Sequence, residues 1–79
     1  MSTLYVYSRD GCHLCDVLLA ELRELVDGRL PIEVRDIDSN PAWHDACFIR
    51  IPVVEFEGRE VCHYQLDRAA ISAILAAQL

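Results

Sequence analysis

Four cysteines and three histidines are the side chains of this 79-residue chain best suited to covalent or metal chemistry, and one grouping among them stands out. Cys12-His13-Leu14-Cys15 follows a β-prone run, Thr3-Leu4-Tyr5-Val6-Tyr7, and opens a stretch with helical periodicity. Residues three apart on a helix share a face, with Cβ atoms roughly 5–6 Å apart. A disulfide needs Cα atoms about 4.4–6.8 Å apart, so such a pair can close and open with little backbone movement. The spacing places Cys12 in the first turn of the helix. Unpaired backbone N–H groups and the positive end of the helix dipole there favour a thiolate, the species that attacks disulfides. Cys12, exposed in a loop after Gly11, reads as the nucleophile rather than as an inert core residue. Cys15, almost a full turn into the helix, reads as a buried resolving thiol of higher pKa, able to release a mixed disulfide from Cys12 by a second exchange.

The remaining reactive residues have weaker readings. His13, if protonated, would stabilise the Cys12 thiolate and raise the reduction potential; as an exposed helix-start residue it would do neither, and both readings stand. Cys47 and Cys62 fall on a short helix and a strand and read as buried fillers. His63 and Tyr64 end a strand, where ordinary edge residues are the favoured reading and groove-lining residues the other. A second grouping, Cys12, Cys15, His44 and Cys47, has the Cys-x2-Cys and His-x2-Cys spacing of a tetrahedral zinc set. It is the minor alternative, because so apolar a chain does not need a metal to fold and the 28 residues between its halves contain a complete strand.

Those residues need elements to hold them. Thr3 to Tyr7 is almost continuously apolar and β-prone, as expected of a strand buried on both faces. Ser8 to Gly11 is a turn. From Cys12 to Asp27, the residues Leu14, Val17, Leu18, Leu22, Leu25 and Val26 form an apolar stripe at helical steps, ended by Gly28 and Pro31. Ile32 to Ile37 reads as a second strand with Ile32 and Val34 on one face. Strand, helix, strand in so short a span is a βαβ unit with parallel strands and a right-handed crossover. Asn40-Pro41 starts a short helix to about Phe48, packed onto the sheet by Trp43. Pro52 to Phe56 is a third strand, Glu57-Gly58 a tight turn, and Arg59 to Tyr64 an antiparallel fourth strand. Asp67 caps a last helix, Arg68 to Gln78, that buries Ile71, Ile74 and Leu75. The expected fold is α/β, β-α-β-α-β-β-α, a four-stranded mixed sheet with helices on both faces.

Composition excludes several functions. With 53% apolar residues the chain can build a core and is not a disordered segment. A net charge of −6, from thirteen acidic residues and seven arginines, disfavours nucleic acid and anionic membranes. No segment approaches the roughly 18–20 apolar residues of a membrane span, and no basic stretch precedes an apolar run at the start, so no signal peptide is expected. The expected compartment is the cytoplasm, where cysteines are more often catalytic or metal-bound than structural. One domain, 1–79, is expected.

With this order of elements the chain resembles a glutaredoxin, the smallest form of the thioredoxin fold, over nearly its whole length. The resemblance rests on Tyr7-Ser8-Arg9, on Cys12-x-x-Cys15, and on Ile51-Pro52-Val53-Val54-Glu55-Phe56 leading into a hairpin and a final helix. It is nearest to the glutaredoxin-like proteins of bacteria. It implies a cis peptide bond before Pro52, beside the cysteines, that turns the backbone of Ile51 toward a docked peptide or glutathione. It implies that Arg9 holds a substrate carboxylate or favours the Cys12 thiolate, and that Asp67 replaces the family's acidic residue at the last helix start. The chain departs from the family twice. His13-Leu14 stands where glutaredoxins usually have Pro-Tyr, and Val61-Cys62-His63-Tyr64 where they usually carry the Gly-Gly pair that grips glutathione. The expectation is a monomeric glutaredoxin-like thiol–disulfide oxidoreductase acting on disulfide-bearing proteins or small thiols, with no bound cofactor and with glutathione an open co-substrate. The alternative of another class is an adaptor that keeps the fold to bind a partner, with or without an iron–sulfur cluster held by Cys12 between two protomers.

Overall fold

The structure, a computed structural model, describes residues 2–78. The elements run β1 (Leu4–Ser8), α1 (His13–Val26), β2 (Ile32–Asp36), a 3-10 turn (Ile37–Ser39), α2 (Pro41–Cys47), β3 (Val53–Phe56), β4 (Arg59–His63) and α3 (Arg68–Ala77). The sheet order is β2-β1-β3-β4. β1 runs parallel to β2, with Leu4 opposite Ile32, and antiparallel to β3, with Leu4 opposite Phe56. β3 and β4 form an antiparallel hairpin with a bulge between Val54 and Glu55. The turn joining them places both Glu57 and Gly58 at positive φ, 51° and 78°, the conformation that matches the twist of a two-residue hairpin.

Period-2 alternation on the central strands divides the side chains between two layers. Leu4 and Val6 of β1, with Val54 and Phe56 of β3, pack against Leu18, Leu22 and Val26 of α1 and Ile71 and Leu75 of α3. That is the main core, and each large aliphatic side chain fully removed from water there contributes about 1.5–3 kcal/mol. The other face carries Tyr7 and Val53, which bury Ile37 and Cys47 with Trp43 and Ile51 packed alongside. Trp43 meets Tyr7 edge-on at 5.8 Å, the contact that seats α2. Nearby, the Arg35 guanidinium lies 3.7 Å over the Tyr5 ring and donates to the Tyr7 hydroxyl at 2.7 Å. The sheet therefore has helices on both faces, as expected, but only one face is a continuous apolar layer.

The helix ends follow local chemistry. Asn40 caps α2, its side chain accepting from the Ala42 N–H, and Pro41 takes the first helical position. Asp67 caps α3 through the Ala70 N–H at 3.0 Å. α1 ends at Val26 with Asp27 in the left-handed conformation, one residue before Gly28.

Two expectations are corrected. Leu14 and Val17 do not join the buried stripe of α1; they are 54% and 42% exposed, because they lie on the side of the helix that lines an open cleft, while Cys15 and Leu18 turn to the interior. The second strand stops at Asp36, and Ile37 opens the 3-10 turn, where it is nonetheless fully buried in the second layer. Ile32 and Val34 do share one face of β2, opposite Leu4 and Val6 of β1, and Val34 is 42% exposed on this edge strand.

Candidate functional site

The turn after β1 delivers Cys12 to the start of α1. Gly11 at φ 79° makes that turn, a left-handed conformation for which glycine has no steric penalty. The Cys12 N–H closes it on the Arg9 carbonyl at 3.3 Å. Cys12 is the N-cap of α1 rather than a member of its first turn, with φ −88° and ψ 100°. Its Sγ takes the place usually held by a Ser, Asp or Asn oxygen, accepting from the Cys15 N–H at 3.2 Å. A donor aimed at that sulfur stabilises negative charge on it, as does the helix dipole behind it.

Cys15 is buried, 1% exposed, on the face of α1 that meets the core, whereas Cys12 is half-buried. The two Sγ atoms lie at disulfide distance, with Cα atoms 5.3 Å apart. His13, the first residue of α1, is exposed.

Ile49–Pro52 leads into β3, whose first residue, Val53, lies opposite Tyr7 near the end of β1, and Ile51–Pro52 is the cis peptide bond. Pro52 is buried and Ile51 half-buried. The segment is tied to the end of β4 from several sides. The Tyr64 N–H donates to the Pro52 carbonyl at 2.9 Å, and the Tyr64 hydroxyl donates to the Ile49 carbonyl at 2.6 Å. Arg50 pairs with one oxygen of Glu60, and the other oxygen meets His63 Nδ1 at 2.8 Å.

Arg9 is not free for an incoming carboxylate in this conformation. Its guanidinium pairs with Asp38 at 3.0 Å, both side chains being about two-fifths exposed. Asp67 is likewise engaged as the α3 cap. The structure thus brings Cys12 and Cys15 together and joins Pro52 to the end of β4. It leaves His13 on the surface and spends Arg9 and Asp67 on partners within the chain.

Cys47 and Cys62 are unpaired thiols in apolar surroundings. Burial pushes both up from the ordinary thiol value; Arg50 partly offsets this at Cys47, and the Asp67 backbone does so at Cys62. Among the described residues no three His, Cys, Asp or Glu side chains converge as metal ligands, so Cys12, Cys15, His44 and Cys47 do not form the zinc set their spacing allowed. The tethers from Tyr64 and Glu60 and the Arg9–Asp38 pair were not readable from the sequence. Each joins residues ten or more apart, across an irregular register or a loop, and no local motif announces them. Among the described residues, no helix is long and apolar enough to cross a membrane.

Residues 3–76 match the model of the family described as glutaredoxin-like domain (DUF836). Of solved structures, protein Ne2328 from Nitrosomonas europaea is similar with a TM-score of 0.82 and 39% identity, over 92% of this chain and 89% of that one. A protein from X. campestris is similar with a TM-score of 0.72 and 32% identity, over 94% and 96%. Thioredoxin 1 from Thermosipho africanus, at 18% identity and a TM-score of 0.63 over 95% and 96%, shares the fold. Among curated proteins no sequence matches significantly.

Proposed function

Since the chain belongs to the glutaredoxin-like family described as DUF836 and has a thioredoxin-like fold, we propose that it is a thiol–disulfide oxidoreductase working through Cys12 and Cys15. The observation that carries this reading is the placement of Cys12 as the cap of α1, with the Cys15 N–H aimed at its sulfur and the Cys15 sulfur at disulfide distance.

In the reduced protein the capping sulfur is held as a thiolate by that N–H and by the helix dipole. It attacks one sulfur of a substrate disulfide. A Cys12–substrate bond forms, the substrate S–S bond breaks, and the departing sulfur leaves with the electron pair and takes up a proton. The Cys15 thiol then loses its proton and attacks Cys12 Sγ. The internal disulfide forms, and the second substrate sulfur leaves as a thiol. Two electrons have passed to the substrate, and an external thiol or dithiol must return them for another cycle. Ile51 offers backbone for strand-like pairing with an extended substrate beside the cysteines.

The protein acts in a reducing, cytoplasm-like compartment as a monomer. Its substrates are protein or small-molecule disulfides. Glutathione is a poor co-substrate, since Tyr64 stands near the place of the usual glycines and Arg9 is already paired.

A redox titration tests the reading. The purified protein is equilibrated in buffers of graded dithiol-to-disulfide ratio, alkylated and weighed. The expected result is one two-electron transition confined to Cys12 and Cys15. Failure of that disulfide to form under mild oxidation would sink the proposal.

A further inference from the structure

We infer that exchange at Cys12 is selected by charge, favouring disulfides that carry ammonium or guanidinium groups beside the sulfurs over those that carry carboxylates. The inference rests on Cys12 and Cys15 being an exchange pair. The ligand site is that sulfur pair itself, and the neighbouring carboxylates set the potential around it.

The first observation is which side chains are tied to the reacting turn. The bond from the Cys12 N–H to the Arg9 carbonyl, 3.3 Å, encloses Asp10. On the other side of Cys12, its own carbonyl accepts from the Asp16 N–H at 3.2 Å. The Arg9 guanidinium reaches Asp38 at 3.0 Å. Asp36, paired with Ser8 where β1 ends, accepts from the Asp38 N–H at 2.9 Å. Asp10, Asp16, Asp36 and Asp38 thus stand on the segments that carry or adjoin Cys12, and all are exposed.

The second observation is how little opposes them. Arg9 is the one arginine on these segments, apart from Arg35, and it is spent on Asp38. Arg35 lies over the Tyr5 ring and pairs with Glu33. Arg50 is paired with Glu60, and Arg68 with Glu21. Arg23 and Arg29 belong to the far end of α1, and Arg59 to the start of β4. Among the described residues Asp10, Asp16 and Asp36 have no ion-pair partner. The dipole of α1 adds about half a positive charge at its N-terminus. Even with that half-charge, Arg9 and a protonated His13 counted against them, the four carboxylates leave an excess of negative charge, and the Cys12 thiolate adds to it.

These charges are close enough to act. Asp10 is two residues from Cys12 and Asp16 about one helical turn away, inside the roughly 10 Å over which salt at 0.1 M leaves charges unscreened. A substrate carboxylate is repelled there, and a substrate cation is drawn in and held beside the sulfur through the mixed disulfide. The same balance works against the carboxylates of glutathione.

The test uses three small disulfides near neutral pH. Cystamine carries two ammonium groups, hydroxyethyl disulfide no charge and dithiodipropionate two carboxylates. Reduced protein is mixed with an excess of each. Cys12 Sγ bonds to one probe sulfur, the probe S–S bond breaks, and the departing sulfur takes the electron pair and a proton. Cys15 then loses its proton and closes the internal disulfide, and the second half of the probe leaves as a thiol. Acid quenching, alkylation and peptide mapping give the loss of reduced Cys12 with time. Each rate is divided by that of dithiothreitol, an uncharged dithiol, with the same probe, which removes the probe's own reactivity. The normalised rate for cystamine should exceed that for dithiodipropionate by more than about fivefold at an ionic strength of about 0.1 M, with hydroxyethyl disulfide between them, and by less than about twofold at about 1 M. Replacing both Asp10→Asn and Asp16→Asn should lower the first ratio by more than about twofold. Glu24→Gln removes an exposed charge about 18 Å along α1 and should leave it unchanged. Because each ratio compares two probes on one protein, a change in thiolate fraction or in folded fraction cancels. A ratio near one at the lower salt, a ratio that salt does not move, no change in the double variant, or an equal fall in Glu24→Gln overturns the charge selection while leaving the exchange reaction intact. No loss of reduced Cys12 with any probe overturns the exchange reading and this inference with it.

Discussion

Cys12 and Cys47 both sit at the ends of helices, but at opposite ends and in opposite surroundings. Cys12 caps the N-terminus of α1, half-exposed, with a backbone donor on its sulfur. Cys47 closes the C-terminus of α2, buried among Tyr7, Ile37 and Val53, and burial pushes its thiol up. Cys62, on β4 against the main core, resembles Cys47 in this respect. Two sulfurs of identical intrinsic chemistry are thus set apart by what meets them. A backbone N–H on the sulfur and the helix dipole favour the anion, and burial in apolar packing opposes it. The lesson is that the surroundings of a sulfur here are set by helix polarity and burial, not by residue type.

The contrast can be broken most directly at the sulfurs themselves. Cys12→Ser should lower disulfide exchange by about three orders of magnitude or more, as loss of a nucleophile does, while Cys62→Ala should leave the rate within about twofold of wild type, as expected of a residue outside the reaction path. Comparable losses in both would erase the distinction. Cys15→Ser should leave the first attack intact and prolong the mixed disulfide on Cys12 by more than about a hundredfold, since only external thiols can then release it. Intact-mass spectra of the trapped adduct would check this. With iodoacetamide at neutral pH, the reduced protein should be alkylated at Cys12 first. Cys47 should lag by more than about tenfold, because it is both buried and protonated; peptide mapping against time gives the order.

A smaller effect sharpens the comparison from the stability side. In the unfolded chain the Cys47 thiol ionises near about 8.5, whereas in the folded protein it holds its proton to higher pH. Above the unfolded value the unfolded state has lost more protons. The contribution is therefore fully present below it and disappears as pH rises through the folded value. The melting temperature of the oxidised protein, in which Cys12 and Cys15 do not titrate, should fall from about pH 8.5 upward. The fall should be shallower in Cys47→Ala. Burial raises Tyr7 as well, so its own contribution follows at higher pH.

Much of this arrangement was legible in the residues because its determinants are local. The caps at Asn40 and Asp67 act on N–H groups two or three positions on. Cys12 and Cys15 are likewise joined by a short-range contact. What escaped was relational. The stripe along α1 records which residues are apolar but not that Leu14 and Val17 turn to a cleft walled by Tyr64. Ile37 is buried after the strand has ended, because a 3-10 turn carries it into the second layer. The partners of Arg9 and Tyr64, at Asp38 and Ile49, depend on how separate loops meet. No pattern within either loop encodes that meeting.

One hydrogen bond ties these threads to an observable. Because the sulfur proposed to react also caps its helix, the amide proton of Cys15 sits on the atom whose charge would change during the proposed exchange. That proton is a built-in spectator of the cycle. Its chemical shift and solvent-exchange lifetime should differ among the thiolate, the adduct and the closed ring, while amides at the far end of α1 stay put. Nuclear magnetic resonance on labelled protein could therefore follow electron flow at a single backbone position, with no dye or coupled enzyme.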